Sequence, residues 1–141
     1  MKRLLVPALC SMLCGMAAQA QNSKVVTAAQ ANGVYRYYQS EFRILALGHN
    51  KLKVQFDGIY MTVSRSPNMG YASGEATIAG NVATFVPADT QGCKITITFL
   101  PGKLKVTQDG SDADCGFGHN VYATGTYRKI RSGKPKFESP P

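Results

Sequence analysis

The feature that most constrains this chain is a series of short segments in which apolar and polar residues alternate, joined in pairs by two-residue turn signals. Residues 93–108, CKITITFLPGKLKVTQ, place an apolar residue at every second position on both sides of Pro101-Gly102. A period of two is typical of strands that bury one face. Residues 49–50 (His-Asn) and 80–81 (Gly-Asn) interrupt similar stretches. The sequence therefore predicts hairpin after hairpin, with a short helix near residues 25–31.

The dipeptide at residues 57–58, Asp-Gly, follows the alternating stretch KLKVQF and is one of the strongest short hairpin signals. A turn there pairs Phe56 with Ile59. The connection that follows, SRSPNMGYASG at residues 64–74, then becomes the longest loop of the chain. Since the other connections are short, a loop of about ten residues indicates a functional segment.

Two segments frame the hairpins, GVYRYY at residues 33–38 and NVYATGTYRK at residues 120–129, and both contain a Gly-x-Tyr motif. An open antiparallel meander exposes two edges, which closure into a barrel removes. We therefore predict an all-β fold, an antiparallel up-and-down meander of about eight strands closing into a small barrel, with a β-sandwich as the alternative. In the barrel the first and last strands pair, and Gly33 and Gly125 permit close packing at the seam.

Residues 1–20 have the layout of a secretory signal peptide. A short basic start is followed by an apolar stretch of about 14 residues and then by the small-x-small cleavage site Ala-Gln-Ala. The apolar stretch is shorter than the roughly 20 residues needed to span a bilayer. We predict cleavage after Ala20, a periplasmic or secreted location, a single β-barrel domain over residues 21–130 and a C-terminal tail over residues 131–141.

Two of the four cysteines, Cys10 and Cys14, leave with the signal peptide, and Cys93 and Cys115 remain. Two cysteines in an exported chain most simply form one disulfide, which stabilises a fold by roughly 3 kcal/mol in the chain-entropy model. An oxidised Cys115 has no thiolate, so it cannot act as a nucleophile with the histidine and asparagine that follow it closely in the chain.

The acidic residues do not form a recognisable catalytic pair, and the sequence contains no phosphate-binding loop, nucleophile elbow or histidine pair at metal spacing. We therefore expect a protein that is not an enzyme and needs no cofactor. Asp109, Asp112 and Asp114 supply the oxygen ligands that Ca²⁺ prefers, and they are the weak candidates for a metal site. Their spacing does not match an EF-hand, and Asp-Gly-Ser is a common sequence in turns. We therefore expect a solvated turn that binds no metal ion.

The predicted loop at residues 64–74 is the candidate partner-binding site. Arginine, methionine and tyrosine, which it contains, are enriched in the cores of protein interfaces. Its candidate contact residues are Arg65, Met69, Tyr71, Ser73 and Gly74. The alternative is an ordinary surface loop whose side chains have no partner.

The chain carries 16 lysine and arginine residues against 8 aspartate and glutamate residues. Much of the basic excess lies near the C-terminus, in a segment that also contains Gly133, Pro135 and Pro140. Residues 131–141 are therefore predicted to be a disordered basic tail, able to contact an anionic envelope surface or only to aid solubility. An exported location makes nucleic acid an unsuitable partner.

The run from Gly74 to Lys129 contains GEATIAGNVATFVP, a cysteine opening CKITITF, then LKVTQ, CGFG and a closing GTY. In these features it resembles small exported bacterial β-barrel proteins of largely unknown function. The size, the compartment and Ser73-Gly74 also resemble periplasmic lysozyme-inhibitor-type proteins, which insert a Ser-Gly-containing loop into the cleft of the enzyme. That resemblance implies a barrel that blocks a cell-wall hydrolase through Ser73-Gly74. The positive charge favours a neutral or acidic hydrolase or toxin, since like charges disfavour encounter.

Three functions remain open at the level of the sequence. The first is an inhibitor or immunity protein that binds a hydrolase or toxin through residues 64–74. The second is a lipocalin-like carrier of a small apolar ligand, which requires a cavity inside the barrel. The third is a structural protein that associates with the surface of the cell envelope through its basic tail.

Overall fold

The structure, a computed structural model, describes residues 24–140, whose eight strands form one closed antiparallel barrel. The elements in chain order are α1 Ala28–Ala31, β1 Gly33–Tyr37, β2 Ser40–Gly48, β3 Lys51–Met61, β4 Pro67–Ala79, β5 Val82–Phe85, β6 Lys94–Leu100, β7 Lys103–Asp109 and β8 Gly125–Ser132. Each strand pairs with the next and β8 pairs with β1, which confirms the predicted barrel. The predicted signal peptide, residues 1–20, lies outside the described residues. No helix within residues 24–140 is long and apolar enough to cross a membrane.

Two-residue turns connect three of the hairpins where the sequence predicts them. Residues 49–50 join β2 to β3, residues 80–81 join β4 to β5, and residues 101–102 join β6 to β7. His49 and Asn50 have φ values of 51° and 59°, the left-handed conformation that a tight hairpin turn of the primed type requires. Because these turns depend on local backbone chemistry, the sequence is sufficient to predict them.

The seam between β1 and β8 depends on glycine, as predicted. A Cβ on Gly33 would collide with the backbone carbonyl of Arg131. A Cβ on Gly125 would lie 2.7 Å from the ring of Tyr37, closer than carbon atoms in contact approach one another. The two glycines therefore let the first and last strands come together at the seam.

The interior of the barrel is filled with side chains. The largest fully buried ones are those of Tyr35, Tyr127, Phe42, Phe56, Phe85, Ile44, Ile95, Ile97 and Leu104. The ring of Phe42 lies 4.8 Å from the rings of Phe56 and Tyr127, a separation typical of packed aromatic pairs. The phenol of Tyr127 donates a hydrogen bond of 2.9 Å to the carbonyl of Ala123, and burial raises the pKa of this phenol well above its usual range.

The predicted turn at residues 57–58 was wrong, because both residues lie inside β3. In the continuous ladder between β3 and β4, Asp57 pairs with Tyr71 and Gly58 pairs with Gly70. The connection between these strands shrinks to residues 62–66, and most of the predicted loop at residues 64–74 belongs to β4.

Glycine is present at residues 58 and 70 because other side chains occupy the space inside the strands. A Cβ on Gly58 would lie 2.6 Å from Cγ1 of Val121, and a Cβ on Gly70 would lie 2.9 Å from Cγ of Phe117. Val121 and Phe117 belong to residues 111–124, which we call the plug. The Asp-Gly dipeptide thus accommodates the plug, a contact between distant parts of the chain, and does not form a turn.

The plug is held in place by a disulfide and by backbone contacts. Cys115 forms the predicted disulfide with Cys93, which lies directly before β6. The N–H of Gly118 donates a hydrogen bond of 2.8 Å to the carbonyl of Met69 in β4. The ring of Phe117, which is buried, lies 5.2 Å from that of Phe56. The plug therefore completes the core at this end of the barrel.

The predicted disorder of the tail, residues 131–141, does not agree with the structure. β8 runs through Ser132, and the segment after it lies against the outer face of β2 and β3. Gln55 is an outward-facing residue of β3 that is fully buried. Its side-chain amide bonds the carbonyl and the N–H of Glu138, at 3.1 Å and 3.0 Å. The partner of Gln55 is 83 residues away in the chain, so sequence pattern does not reveal it.

The Glu138 carboxylate adds an ion pair to this contact, with Arg43 at 2.8 Å. Beside it, the ammonium group of Lys53 lies 4.3 Å from the centre of the Phe137 ring, a cation–π geometry. The described part of the tail is therefore attached to the barrel through a hydrogen-bonded amide, an ion pair and an aromatic ring.

Replacing Gly70 with alanine should destabilise the protein, because the new Cβ would lie 2.8 Å from Cγ1 of Val121. We expect the free energy of unfolding, measured by urea denaturation, to fall by about 1–3 kcal/mol, the usual cost of overpacking a core. Val121→Ala removes the opposing methyl groups, so the double variant should be more stable than the sum of the two single effects predicts. Strictly additive effects would contradict the contact between the plug and β4.

Removing residues 134–141 should lower the free energy of unfolding by about 1–3 kcal/mol, because Gln55 loses two hydrogen bonds that contribute roughly 0.5–1.5 kcal/mol each. The matched control is Glu138→Ala, which keeps both main-chain bonds and loses only an exposed ion pair, for about 0–1 kcal/mol. Urea denaturation measures both. A truncated protein as stable as the native one would show that the tail does not pack on β3.

Candidate functional site

β4 has neighbouring strands on both sides over only part of its length. It pairs with β3 from Pro67 to Thr77, but with β5 only from Ala76 to Ala79. β5 ends at Phe85, and Pro87, two residues later, has no N–H with which to continue the ladder to β6. The earlier part of β4 therefore has no strand on its β5 side.

Hydrogen bonds to residues outside the strands show which way the backbone groups of β4 point. In an antiparallel strand, the N–H and C=O of one residue face one neighbour and those of the next residue face the other. The N–H of Ile78 donates to the carbonyl of Asn50 on the β3 side, at 2.9 Å. The carbonyl of Met69 accepts from Gly118 on the opposite side. Even-numbered residues thus face β3, and odd-numbered residues face the missing strand.

Tyr71, Ser73 and Glu75 are the odd-numbered residues between Met69, which bonds the plug, and Thr77, which pairs with β5, and we call them the open edge. Their N–H and C=O groups point away from β3, towards the side on which β5 has ended. Within residues 24–140 these backbone groups form no hydrogen bond to any other segment. The open edge is therefore a short unpaired stretch in an otherwise closed sheet.

A cleft of about 280 Å³ lies beside the open edge. Residues 71–73 form one wall and residues 87–90 form the other. Cys115 and Gly116 of the plug also line it, so the disulfide helps to fix its shape. The open edge thus faces a solvent-accessible space that other parts of the fold hold open.

Of the acidic side chains near the open edge, only Asp89 lines the cleft itself. Glu75 is exposed and lies 2.9 Å from the ammonium group of Lys51. Asp89 is exposed and forms no ion pair within the described part of the chain. Asp57 pairs with Tyr71 across the ladder, and partial burial raises its pKa although the guanidinium of Arg43 lowers it. Because Glu75 and Asp57 are each paired with a basic side chain, Asp89 is the acidic group beside the cleft whose charge no ion pair offsets within residues 24–140.

The end of the β3–β4 hairpin exposes a group of large apolar side chains, which we call the hairpin tip. Val63 is fully exposed, and 41–53% of the surface of each of the others is accessible. The members of the tip are Tyr60, Met61, Val63 and Met69. The tip is fixed to the plug, since the side-chain amide of Asn68 donates a hydrogen bond of 2.7 Å to the carbonyl of His119.

The structure places four of the five predicted site residues on a strand rather than in a loop. Met69, Tyr71 and Ser73 lie at alternate positions of β4 and share its outer face. Gly74 faces the interior, where a Cβ would lie 3.4 Å from the ring of Phe85. Arg65 lies in the turn with a φ of 62° and is exposed. The first three residues are thus brought together, and the other two are separated from them.

Sequence reasoning missed Glu75, a member of the open edge, and Asp89, the charged residue that lines the cleft. Glu75 lies just outside the predicted loop, and Asp89 lies in a segment read only as a connection. The available signal was Pro87, which limits β5 to four residues while β4 continues for thirteen. This mismatch in strand length indicates an unpaired edge.

The three aspartates considered as calcium ligands make contacts of other kinds. Asp109 lies 3.2 Å from the ammonium group of Lys94. Asp112 and Asp114 accept backbone hydrogen bonds at 2.7 Å and 2.8 Å, and these bonds hold the pKa of both carboxyls below the usual value. Across residues 24–140, no group of three acidic, histidine or cysteine side chains is arranged to hold a metal ion.

Comparison with known proteins identifies no relative of this chain. No protein-family model, curated protein or solved structure matches the chain. The functional argument therefore rests on the geometry of the site.

Amide hydrogen exchange should distinguish the residues of β4 whose N–H groups face β3 from those whose N–H groups face the cleft. We expect the amides of Tyr71 and Ser73 to exchange at least roughly 100-fold faster than that of Ala72, a difference of about 2.8 kcal/mol in local opening free energy. The three residues are adjacent, and Ala72 faces β3, so it serves as an internal control. Equal protection of all three amides, measured by NMR, would show that the open edge is covered.

Proposed function

We propose that the protein is an exported, non-enzymatic binding protein that inhibits or neutralises a partner protein, such as a cell-wall hydrolase or a toxin, through the end of the β3–β4 hairpin. The observation that carries this proposal is the hairpin tip, where four large apolar side chains are exposed at the end of one hairpin, Met61 and Met69 on its outer face and Tyr60 on the opposite face. Single exposed apolar residues are common on protein surfaces, but a group of them on one element is typical of an interaction site.

The composition of the hairpin tip supports this function. Tyrosine and methionine are enriched at the centres of protein interfaces, and Tyr60, Met61 and Met69 supply both types. Polar residues, including Ser64 and Arg65, surround them in the turn. An apolar centre with a polar rim is the usual anatomy of a binding surface.

The barrel interior supports a binding surface over a carrier function. A carrier of a small apolar ligand needs a cavity in the middle of the barrel. Here aromatic rings separated by 4.8 Å occupy that position, and Phe117 of the plug packs at one end. A ligand could enter only if several buried side chains moved.

The binding element in this proposal differs from the one that the resemblance to lysozyme-inhibitor-type proteins implies. Ser73 and Gly74 lie in β4, so they do not form a loop that inserts into an enzyme cleft. The projecting element is the hairpin tip, and Arg65 lies at its turn. The overall positive charge still favours a neutral or acidic partner, since like charges slow encounter.

Association with the cell envelope is a second candidate function, favoured by the charge on β7 and β8. Lys103 and Arg128 are directly opposite each other across these strands, and Lys105 lies two residues further along β7. Within residues 24–140 none of the three forms an ion pair. Like charges placed opposite each other destabilise a sheet, so this basic face is suited to an anionic surface.

The proposed function predicts that the mature chain from Gln21 inhibits a cell-wall hydrolase or toxin, and that residues near the hairpin tip carry the affinity. We would measure inhibition and binding for a panel of purified hydrolases and toxins. The variant Arg65→Ala/Met69→Ala/Tyr71→Ala should bind its target at least roughly 30-fold more weakly, a loss of about 2 kcal/mol, as expected for interface hot spots.

The matched control is Lys103→Ala/Lys105→Ala/Arg128→Ala, which also truncates three outward-facing side chains on strands β7 and β8. It should inhibit as strongly as the native protein. Inhibition lost only in this control, together with binding of the native chain to anionic vesicles, would replace the proposed function by envelope association. If neither target class binds the native chain, the inhibitor proposal fails.

A further inference from the structure

We propose that the open edge binds an extended segment of the partner protein as an additional strand of the sheet. This inference rests on the proposed function, because it specifies how a partner is held. Strand addition uses main-chain hydrogen bonds for affinity and the pockets for alternate side chains for specificity. Tyr71, Ser73 and Glu75 have N–H and C=O groups at the regular spacing with which the backbone of an added strand forms hydrogen bonds.

The plug already forms one hydrogen bond on the same side of β4 as the open edge. The N–H of Gly118 bonds the carbonyl of Met69, which faces the same side as the open edge. Tyr71 and Ser73 occupy the next equivalent positions along β4, and no segment within residues 24–140 continues the ladder there. An incoming strand would therefore continue a pairing that the plug begins.

The cleft defines which side chains such a strand would carry. In a strand, successive side chains point to opposite faces, so every second residue of the segment would point towards the plug. The residues that line the cleft there are Cys115, Pro87 and Gly116, and Gly116 has no side chain. Small or apolar residues suit these inward positions, and polar residues suit the outward ones.

Charge favours a segment of a partner protein over a second copy of this chain as the occupant of the open edge. Asp89 lines the cleft and forms no ion pair within the described residues, so it favours a positively charged side chain beside it. Two copies of this chain carry the same excess of basic residues, and like charges disfavour encounter, which disfavours self-association. The occupant that fits is an extended segment with a lysine or arginine beside Asp89.

Binding of short peptides tests this directly. Random peptides of about ten residues, the upper length of a typical strand, would be displayed on phage and selected on the mature chain from Gln21. Affinities of the selected peptides would then be compared for the native chain, Ser73→Pro and Ser73→Ala. Proline removes the N–H of Ser73 at an edge position where it is tolerated, whereas alanine keeps that N–H. We expect roughly tenfold weaker binding or more with proline and a change of less than about twofold with alanine.

A second readout does not depend on the folding of a variant. Each selected peptide would be N-methylated at one residue at a time, which removes one backbone donor. Strand addition predicts that binding is lost at every second position and kept at the positions between, because alternate donors face β4. The amides of Tyr71 and Ser73 should also become protected from exchange when the peptide binds.

The role of charge is tested with Asp89→Asn, which should weaken the binding of peptides that contain lysine or arginine by about threefold to tenfold.

Selected peptides whose binding shows no alternation on N-methylation and is not weakened by Ser73→Pro would overturn strand addition. Selection that yields no peptide would overturn it too. In either case, inhibition that still depends on Arg65 and Met69 would leave the proposed function standing. A native dimer that Ser73→Pro converts to a monomer would replace the partner segment by a second copy.

Discussion

The packing of Phe117 and Val121 against Gly58 and Gly70 determines the end of the barrel that carries the candidate site. The two glycines leave space inside β3 and β4, and the plug fills that space from within. Once the plug is inside, its backbone reaches β4 and its disulfide fixes it to the start of β6. The cleft, the open edge and the hairpin tip all lie on or beside segments that the plug touches. The end of the barrel that carries the candidate site is thus built around a core contact.

The elements that could be predicted from the sequence are those whose cause is local. The turns at residues 49–50, 80–81 and 101–102 need only particular backbone conformations, and the residues there supply them. The disulfide was predicted from the two cysteines that remain after the predicted signal peptide. Asp57-Gly58 has the same local chemistry as a turn, yet tertiary packing overrides it, since its glycine makes room for a side chain more than sixty residues away.

The candidate site was predicted in part, and for a reason that turned out to be indirect. Met69 and Tyr71 were selected as interface residue types in a predicted loop, Ser73 was selected from the resemblance to lysozyme-inhibitor-type proteins, and all three lie together on β4. What distinguishes Tyr71 and Ser73 is the backbone of β4, which has no strand on its β5 side there because β5 is short. Sequence patterns report side chains, whereas an unpaired edge is a relation between the lengths of two strands. The same limit applies to Gln55, whose partner is at the opposite end of the chain.

The seam between β1 and β8 has a consequence for the order in which the barrel can form. Gly33 pairs with Ser132, so closure joins residues separated by almost the whole domain. Contacts of such long range carry the largest loss of chain entropy and slow the folding of β proteins. A chain that emerges from its amino end therefore keeps the edge of β1 unpaired until β8 arrives. A chain that stops before residue 125 keeps two free edges, each a template for pairing with another chain.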